Sequence, residues 1–407
     1  MASSRPAAGG PFPRLDTRAV HAASASPPLG AAGESPHAAP LYQTANFTYP
    51  DSAAADRAAA GGAYLYSRDA NPTTDALARA LADLEGGAAG LSFASGMAAI
   101  ASAVFAFATD GDKGGDKGGG EVIASEGLYG GSTELLAELG PRHGVHTRFV
   151  PAWDVDTVRA ALGPRTRVIL IETITNPLLR VADLPALGAL AAERGVALIV
   201  DSTFATPCLC RPLSHGATVV AHSISKYVSG HGDLIGGVTV GSAEAMSRVR
   251  RYRLLLGGMM DPFCAWLALR GLRTMPLRVE RQCKSAAYLA DRLAAMPGVV
   301  RVHYPGRADH PDSARARELL ATGGAMVSFE LAGAAAARRL YDRLRVVARA
   351  ASLGEVSSLL THPASFSHRG VSAGERARLG ITDGLLRLSV GIEAVEDLED
   401  DLRQALG

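Results

Sequence analysis

Short apolar runs rich in Val and Ile recur through the middle of the chain, at 121–125, 168–172, 197–201, 219–223 and 237–240. Unbroken apolar runs of this length read as strands buried on both faces, not as strands that alternate between core and water. Between several of them the apolar positions change to a helical spacing, as at 183–194, where Leu184, Leu187 and Leu190 recur at intervals of three. An earlier stretch opens with Asn71-Pro72-Thr73-Thr74 and carries Leu77, Leu81 and Leu84, which predicts an amphipathic helix with proline in its first turn. This alternation predicts an α/β fold with a mostly parallel sheet covered by helices. From about Pro262 the pattern changes. A long helical stretch leads into further strand-like runs such as 325–331, which predicts a smaller C-terminal α/β domain. No internal repeat is visible.

Composition narrows the picture. At 407 residues, 47% hydrophobic and 20% charged, the chain is globular and has room for two or three domains. A formal net charge of +1 gives no general attraction for nucleic acid or anionic membrane. No apolar run approaches bilayer length, and no basic start followed by an apolar stretch marks a signal peptide. The expectation is a cytoplasmic protein with neither nucleic-acid nor membrane partners. Cys208, Cys210, Cys264 and Cys283 lack zinc-site spacing and are read as free thiols. Without a His-Glu-x-x-His, a Cys/His quartet or a Gly-x-Ser-x-Gly, neither a metal site nor a hydrolase is expected. About the first 40 residues, rich in Ala, Pro, Ser and Gly, read as a loosely ordered arm. The glycine-rich 111–120 precedes a strand and lacks a P-loop ending, so it reads as a flexible surface loop.

Candidate chemistry collects at strand ends, where open α/β sheets bind ligands. Asp201 ends one run, Ser223 ends the next with Lys226 close behind, and Asn176 lies just past a third. A lysine flanked by Ser223 and Ser225, with an acid at the end of a neighbouring buried strand, suits pyridoxal 5'-phosphate. The lysine forms a Schiff base with the aldehyde, the acid pairs with the pyridine nitrogen, and the hydroxyls donate to phosphate. Taken singly, each has an ordinary alternative: a solvated lysine, or a turn at Asn176-Pro177. Ser95-Gly96-Met97 reads as a turn opening a helix, whose amides either face an anion or are simply capped. Arg68 is either a phosphate fork or a surface charge. Tyr129, beside Gly130 and Gly131, either lies on an aromatic cofactor or is a half-buried core tyrosine. Arg387, alternating with apolar residues in 386–390, meets a substrate carboxylate or an outward ion pair.

These segments together resemble the Cys/Met-metabolism family of pyridoxal-phosphate enzymes, which includes methionine γ-lyase, cystathionine γ-synthase and γ-lyase, and O-acylhomoserine sulfhydrylase. The resemblance runs from about Pro36 to the C-terminus. It rests on Tyr66-Ser67-Arg68 with Asn71-Pro72-Thr73, Leu84-Glu85-Gly86-Gly87, Ala94-Ser95-Gly96-Met97, Leu128-Tyr129-Gly130-Gly131, 172–177, 201–207, the Lys226 segment, Ser352-Leu353-Gly354, His362-Pro363-Ala364-Ser365 and Arg387-Leu388-Ser389-Val390-Gly391. It implies an aspartate aminotransferase-like fold (fold type I). An arm, 1–63, would reach a neighbouring subunit, followed by a large cofactor domain, 64–261, and a C-terminal domain, 262–407. It implies that Lys226 holds the cofactor and shuttles protons, Asp201 pairs with the pyridinium, and Tyr129 stacks on the ring and acts at the leaving group. Gly96, Met97, Ser223 and Ser225 would bind phosphate, with Tyr66 and Arg68 reaching it from a neighbouring subunit of a homo-oligomer, usually a dimer of dimers. Asn176 would contact the ring's phenolic oxygen, Thr203 would join the cofactor site, and Ser352 and Arg387 would hold the carboxylate of a small amino-acid substrate. The implied activity is γ-elimination from a sulfur-containing L-amino acid. Alternatives are γ-replacement on an O-acylhomoserine and a non-catalytic cofactor-binding scaffold. The chain departs from the family pattern at Gly131, where methionine γ-lyases carry a cysteine. It also lacks their Lys-Asp pair near Arg253-Leu254 and has Ser357 where glutamate is frequent and Ser202 where asparagine is common.

Overall fold

The computed structural model describes residues 14–23, 34–109, 119–366 and 369–407. The larger sheet contains β1 (Ala89–Phe93), β2 (Glu121–Ser125), β3 (His146–Val150), β4 (Thr166–Glu172), β5 (Ala197–Asp201), β6 (Val219–Ser223) and β7 (Gly237–Gly241), in the spatial order β1-β7-β6-β5-β4-β2-β3. Strands β3, β2, β4, β5 and β6 are parallel, and β7 is antiparallel to both its neighbours. The central strands are buried almost throughout because helices cover both faces, which is why Val and Ile run without polar interruption. On one face Ile169, Ile171, Leu198 and Val200 share a core with helices Pro72–Glu85 and Leu184–Arg194. On the other, Val168, Leu170, Ile199 and Ala221 pack with helices Gly96–Ala108 and Ala243–Leu256.

Local signals set these helices. The Asn71 side chain accepts from the Thr73 amide at 2.9 Å, Pro72 occupies the first turn, and Gly86 ends the helix in the left-handed region. Chain order steps from β2 to β3 on one side and from β4 to β6 on the other. The switch between β2 and β4 opens the crevice in which such sheets bind ligands. The 224–236 loop, which carries Lys226, joins β6 to β7 without a crossover helix, so β7 returns antiparallel.

A second sheet holds β8 (Val299–His303), β9 (Met326–Leu331), β10 (Ala348–Arg349), β11 (Leu359–Thr361) and β12 (Leu385–Ser389), ordered β10-β11-β12-β9-β8 and antiparallel except at β10/β11. In β12, Leu386 and Leu388 join the core formed with Val327, Phe329 and helices Met275–Ala294 and Val395–Leu406. By strand alternation Arg387 is directed to the opposite face.

The structure corrects one expectation and adds to others. Within the N-terminal arm, Leu15–Val20 forms a helix with Ala19 fully buried and Arg18 Nε bonded to Asp83 Oδ2 at 2.8 Å, so this part is anchored and not loose. Residues 1–13 and 24–33 of the Ala/Pro/Ser/Gly segment, and 110–118 of the glycine-rich loop, lie outside the described residues. All four cysteines are free, and among the described residues no helix is long and apolar enough to cross a membrane.

Candidate active site

A cavity of about 890 Å³ lies at the carboxyl ends of β2, β4, β5 and β6, and is closed on one side by the segment around Ser352 and by β12. Its floor is Asp201. The carboxylate oxygen Oδ1 accepts from the Thr203 amide at 2.9 Å and from the Thr203 hydroxyl at 2.5 Å. Thr203 Oγ1 in turn accepts from the Ser223 amide at 2.8 Å, so one threonine ties the ends of β5 and β6 together. Burial pushes the Asp201 carboxyl up, and the two Thr203 donors oppose that rise. Such an acid is stabilised as the anion by a protonated heterocyclic nitrogen placed against it.

Lys226 follows β6 by three residues, and its Nζ donates to Ser352 Oγ at 2.7 Å. Burial lowers its affinity for a proton, the nearby Arg387 charge adds to this, and Glu355 opposes it. A lysine shifted this way reaches its neutral, nucleophilic form more readily. Ser352 has φ +112°, which side chains other than glycine rarely adopt. Strain of this kind persists where surrounding contacts fix the residue. Here the hydroxyl accepts from Lys226, and the carbonyl accepts from Arg387 Nη2 at 3.0 Å.

The anion cradle is built at the start of helix Gly96–Ala108. Ser95 caps it by accepting from the Ala98 amide at 3.0 Å, which leaves the Gly96 and Met97 amides without an intrahelical acceptor. A side chain at Gly96 would place its Cβ 2.8 Å from Ser223 Cβ, so only glycine lets the backbone approach β6 here. Ser225 Oγ accepts from the Gly236 amide at 3.0 Å and holds the lysine loop. Two amides at a helix N-terminus, two serine hydroxyls, a half-buried acid and a lysine fit a phosphorylated pyridine aldehyde.

Arg387 is 5% exposed. Its Nη1 donates to Asn176 Oδ1 at 2.7 Å and its Nη2 to the Ser352 carbonyl, while Nε is buried without a partner. Burial pushes its pKa down to about 10, so it stays charged at neutral pH. A buried guanidinium held only by neutral acceptors is a receptor for a carboxylate. Asn176, just past β4 and followed by a cis bond to Pro177, sets the position of that guanidinium.

Tyr129, 48% exposed, overhangs the cavity from the turn after β2, and its amide donates to Glu172 Oε1 at 2.6 Å. The structure thus gathers Gly96, Met97, Tyr129, Asn176, Asp201, Thr203, Ser223, Ser225, Lys226, Ser352 and Arg387 around one space. It does not bring Tyr66 and Arg68 there. They lie outside it, with Tyr66 41% exposed and the Arg68 guanidinium 5.1 Å from the Tyr66 ring centre. Residues given no role from the sequence also line the cavity, among them Glu172, Glu355, Ser365, Phe366 and Arg369. For Glu172 a signal was present, since it ends an apolar run just as Asp201 ends the next.

Comparison with known proteins agrees with this geometry. The family model described as Cys/Met metabolism PLP-dependent enzyme matches residues 16–407. The chain is 42% identical over 372 residues to an L-methionine gamma-lyase of Pseudomonas putida, covering 90% of this chain and 92% of that one. It is 41% identical over 347 residues to the cystathionine beta-lyase MetC of Bacillus subtilis, covering 85% and 86%. Its fold is similar to the crystal structure of a cystathionine gamma synthase from Xanthomonas oryzae pv. oryzae in complex with aminoacrylate and cysteine, with a TM-score of 0.88, 38% identity and 97% of each chain covered.

Proposed function

The chain belongs to the Cys/Met metabolism family of PLP-dependent enzymes, and from that premise we propose that it catalyses γ-elimination on a sulfur-containing L-amino acid, releasing a 2-oxo acid, ammonia and a thiol. The single observation that carries this reading is the joint placement of Lys226, Asp201 and the carboxylate-seeking Arg387 around one cavity. When bound, pyridoxal phosphate supplies an electron sink that acidifies the substrate's Cα–H and then its Cβ–H. Water hydrolyses the released imine to the 2-oxo acid and ammonia, and the chain's own groups bind the substrate and move the protons. Arg387 and Ser352 hold the α-carboxylate and so present Cα–H to Lys226. The Lys226 amine, its proton affinity lowered by burial, removes that proton and moves a second one from Cβ. Asp201 holds a proton on the ring nitrogen, and the Tyr129 hydroxyl protonates the departing sulfur.

The arm, 1–63, is assigned to contacts with the next subunit, 64–261 to the cofactor domain and 262–407 to the C-terminal domain. The active form is a homo-oligomer of at least two chains. The partner subunit's Tyr66 and the partner subunit's Arg68 complete the phosphate site, a reading supported by their position outside their own chain's cavity.

γ-Replacement on an O-acylhomoserine is the second reading, favoured by the similarity to the Xanthomonas oryzae synthase over 97% of both chains. Incubation with methionine, cystathionine, O-acetylhomoserine and O-succinylhomoserine, with and without an added thiol, separates the two. Elimination predicts 2-oxobutanoate and ammonia without a nucleophile. No 2-oxo acid from any of the four in its absence would overturn it, and a new thioether only when the thiol is present would establish replacement.

A further inference from the structure

Glu172 ends β4 as Asp201 ends β5, and the two are directly paired in register. Their surroundings differ. Asp201 has two donors from Thr203, whereas Glu172 has one, the Tyr129 amide on Oε1. Glu172 Oε2 is buried with no hydrogen-bond partner. The Asn176 amide and the Arg387 charge each favour its anion, the latter with no ion pair to it, and the Asp201 carboxyl faces it from the neighbouring strand. Two enclosed carboxyls at adjacent strand ends resist ionising together, and burial pushes Glu172 well above the usual carboxylate range, with Asp201 adding to the rise.

Glu172 is also what fixes the Tyr129 turn. Tyr129 precedes the short helix Gly130–Glu134, and its carbonyl accepts from the Ser132 and Thr133 amides at 2.9 and 3.1 Å. Its own amide goes to Glu172. The ring is set from the other side by Gly131, where a Cβ would lie 2.8 Å from Tyr129 Cε1 and 3.2 Å from Met97 Sδ. The phenol therefore has its backbone anchored by one carboxyl group and its ring seated over a position that carries no side chain.

We propose that Glu172 is a positioning residue that works as an uncharged carboxylic acid, with Oε1 accepting the Tyr129 amide to hold the phenol over the cofactor and the proton residing on Oε2. A neutral Glu172 would leave Asp201 as the single anion available to the ring nitrogen, so that proton would be held by one partner. This inference rests on the cofactor site described above, not on which substrate is turned over.

The test uses the PLP-loaded enzyme and the variants Glu172→Gln and Glu172→Ala. Glutamine copies the neutral acid's carbonyl acceptor, so E172Q should match wild type in the induced circular dichroism of the bound cofactor and in the pH midpoint of its absorption change. E172A should alter the dichroism and lower kcat roughly 10- to 100-fold with a smaller change in KM, because a misplaced group costs orientation more than binding. An E172Q midpoint displaced by about one pH unit or more would reveal an ionised carboxylate in the wild type and overturn the proposal. Wild-type dichroism in E172A would overturn the positioning role. Both spectra are read without substrate, so failure of the elimination assay leaves this test intact.

Discussion

Arg387 shows how far one residue's environment specifies its partner. Its burial, its two neutral acceptors and its orphaned Nε leave a position that a planar carboxylate fills. Charge-assisted hydrogen bonds to such a group are worth about 1.5–3 kcal/mol each. Arg387→Ala should therefore raise KM for amino-acid substrates by roughly 100-fold or more while cofactor binding is retained. Arg387→Lys should rescue little, since a point charge does not reproduce the fork. Steady-state kinetics together with the cofactor's absorbance checks this. A KM within about threefold of wild type would remove Arg387 from substrate recognition. It was visible as a candidate because a charged residue alternating with leucines on a strand must either face water or meet a partner. Glu172 was harder to read, because a carboxyl at a strand end is ordinary until its missing second partner is seen.

Among the elements, the central parallel strands were legible because burial on both faces leaves a continuous apolar run, and β2, β5 and β6 lie where those runs lie. Strands with less burial were not. β1 contains Gly90 and Ser92, and β3 begins His146-Thr147-Arg148 and stands at the sheet edge with alternate residues exposed, so neither carries an apolar run. The helix at Leu15–Val20 was hidden by its surroundings in a segment of low complexity. It is held by tertiary contacts, the burial of Ala19 and the Arg18–Asp83 bond, more than by its own six residues. The antiparallel return of β7 follows from what its connection lacks, a crossover helix, and periodicity does not display that. The edge of the sheet where chemistry gathers was readable nonetheless, because the residues following each apolar run in a parallel sheet share one side.

For the whole molecule, the site as proposed is incomplete within one chain. Tyr66 and Arg68 lie away from their own cavity, and in the proposed oligomer they would reach the neighbouring subunit's phosphate. Lys226→Ala and Arg68→Ala should each be inactive or nearly so as pure proteins. Hybrids formed by co-expression should recover up to about a quarter of wild-type activity, since half the dimers are mixed and each mixed dimer has one intact site. Verified hybrids with no recovery, or a fully active Arg68→Ala, would contradict the shared site. Every role given to Asp201, Tyr129, Glu172 and Arg387 nevertheless depends on one residue bonding covalently to the cofactor. Borohydride reduction of the PLP-loaded protein, followed by peptide mass spectrometry, tests that directly. A phosphopyridoxyl group is expected on Lys226 alone; its absence there, or its presence on another lysine instead, would remove the covalent anchor on which those roles depend.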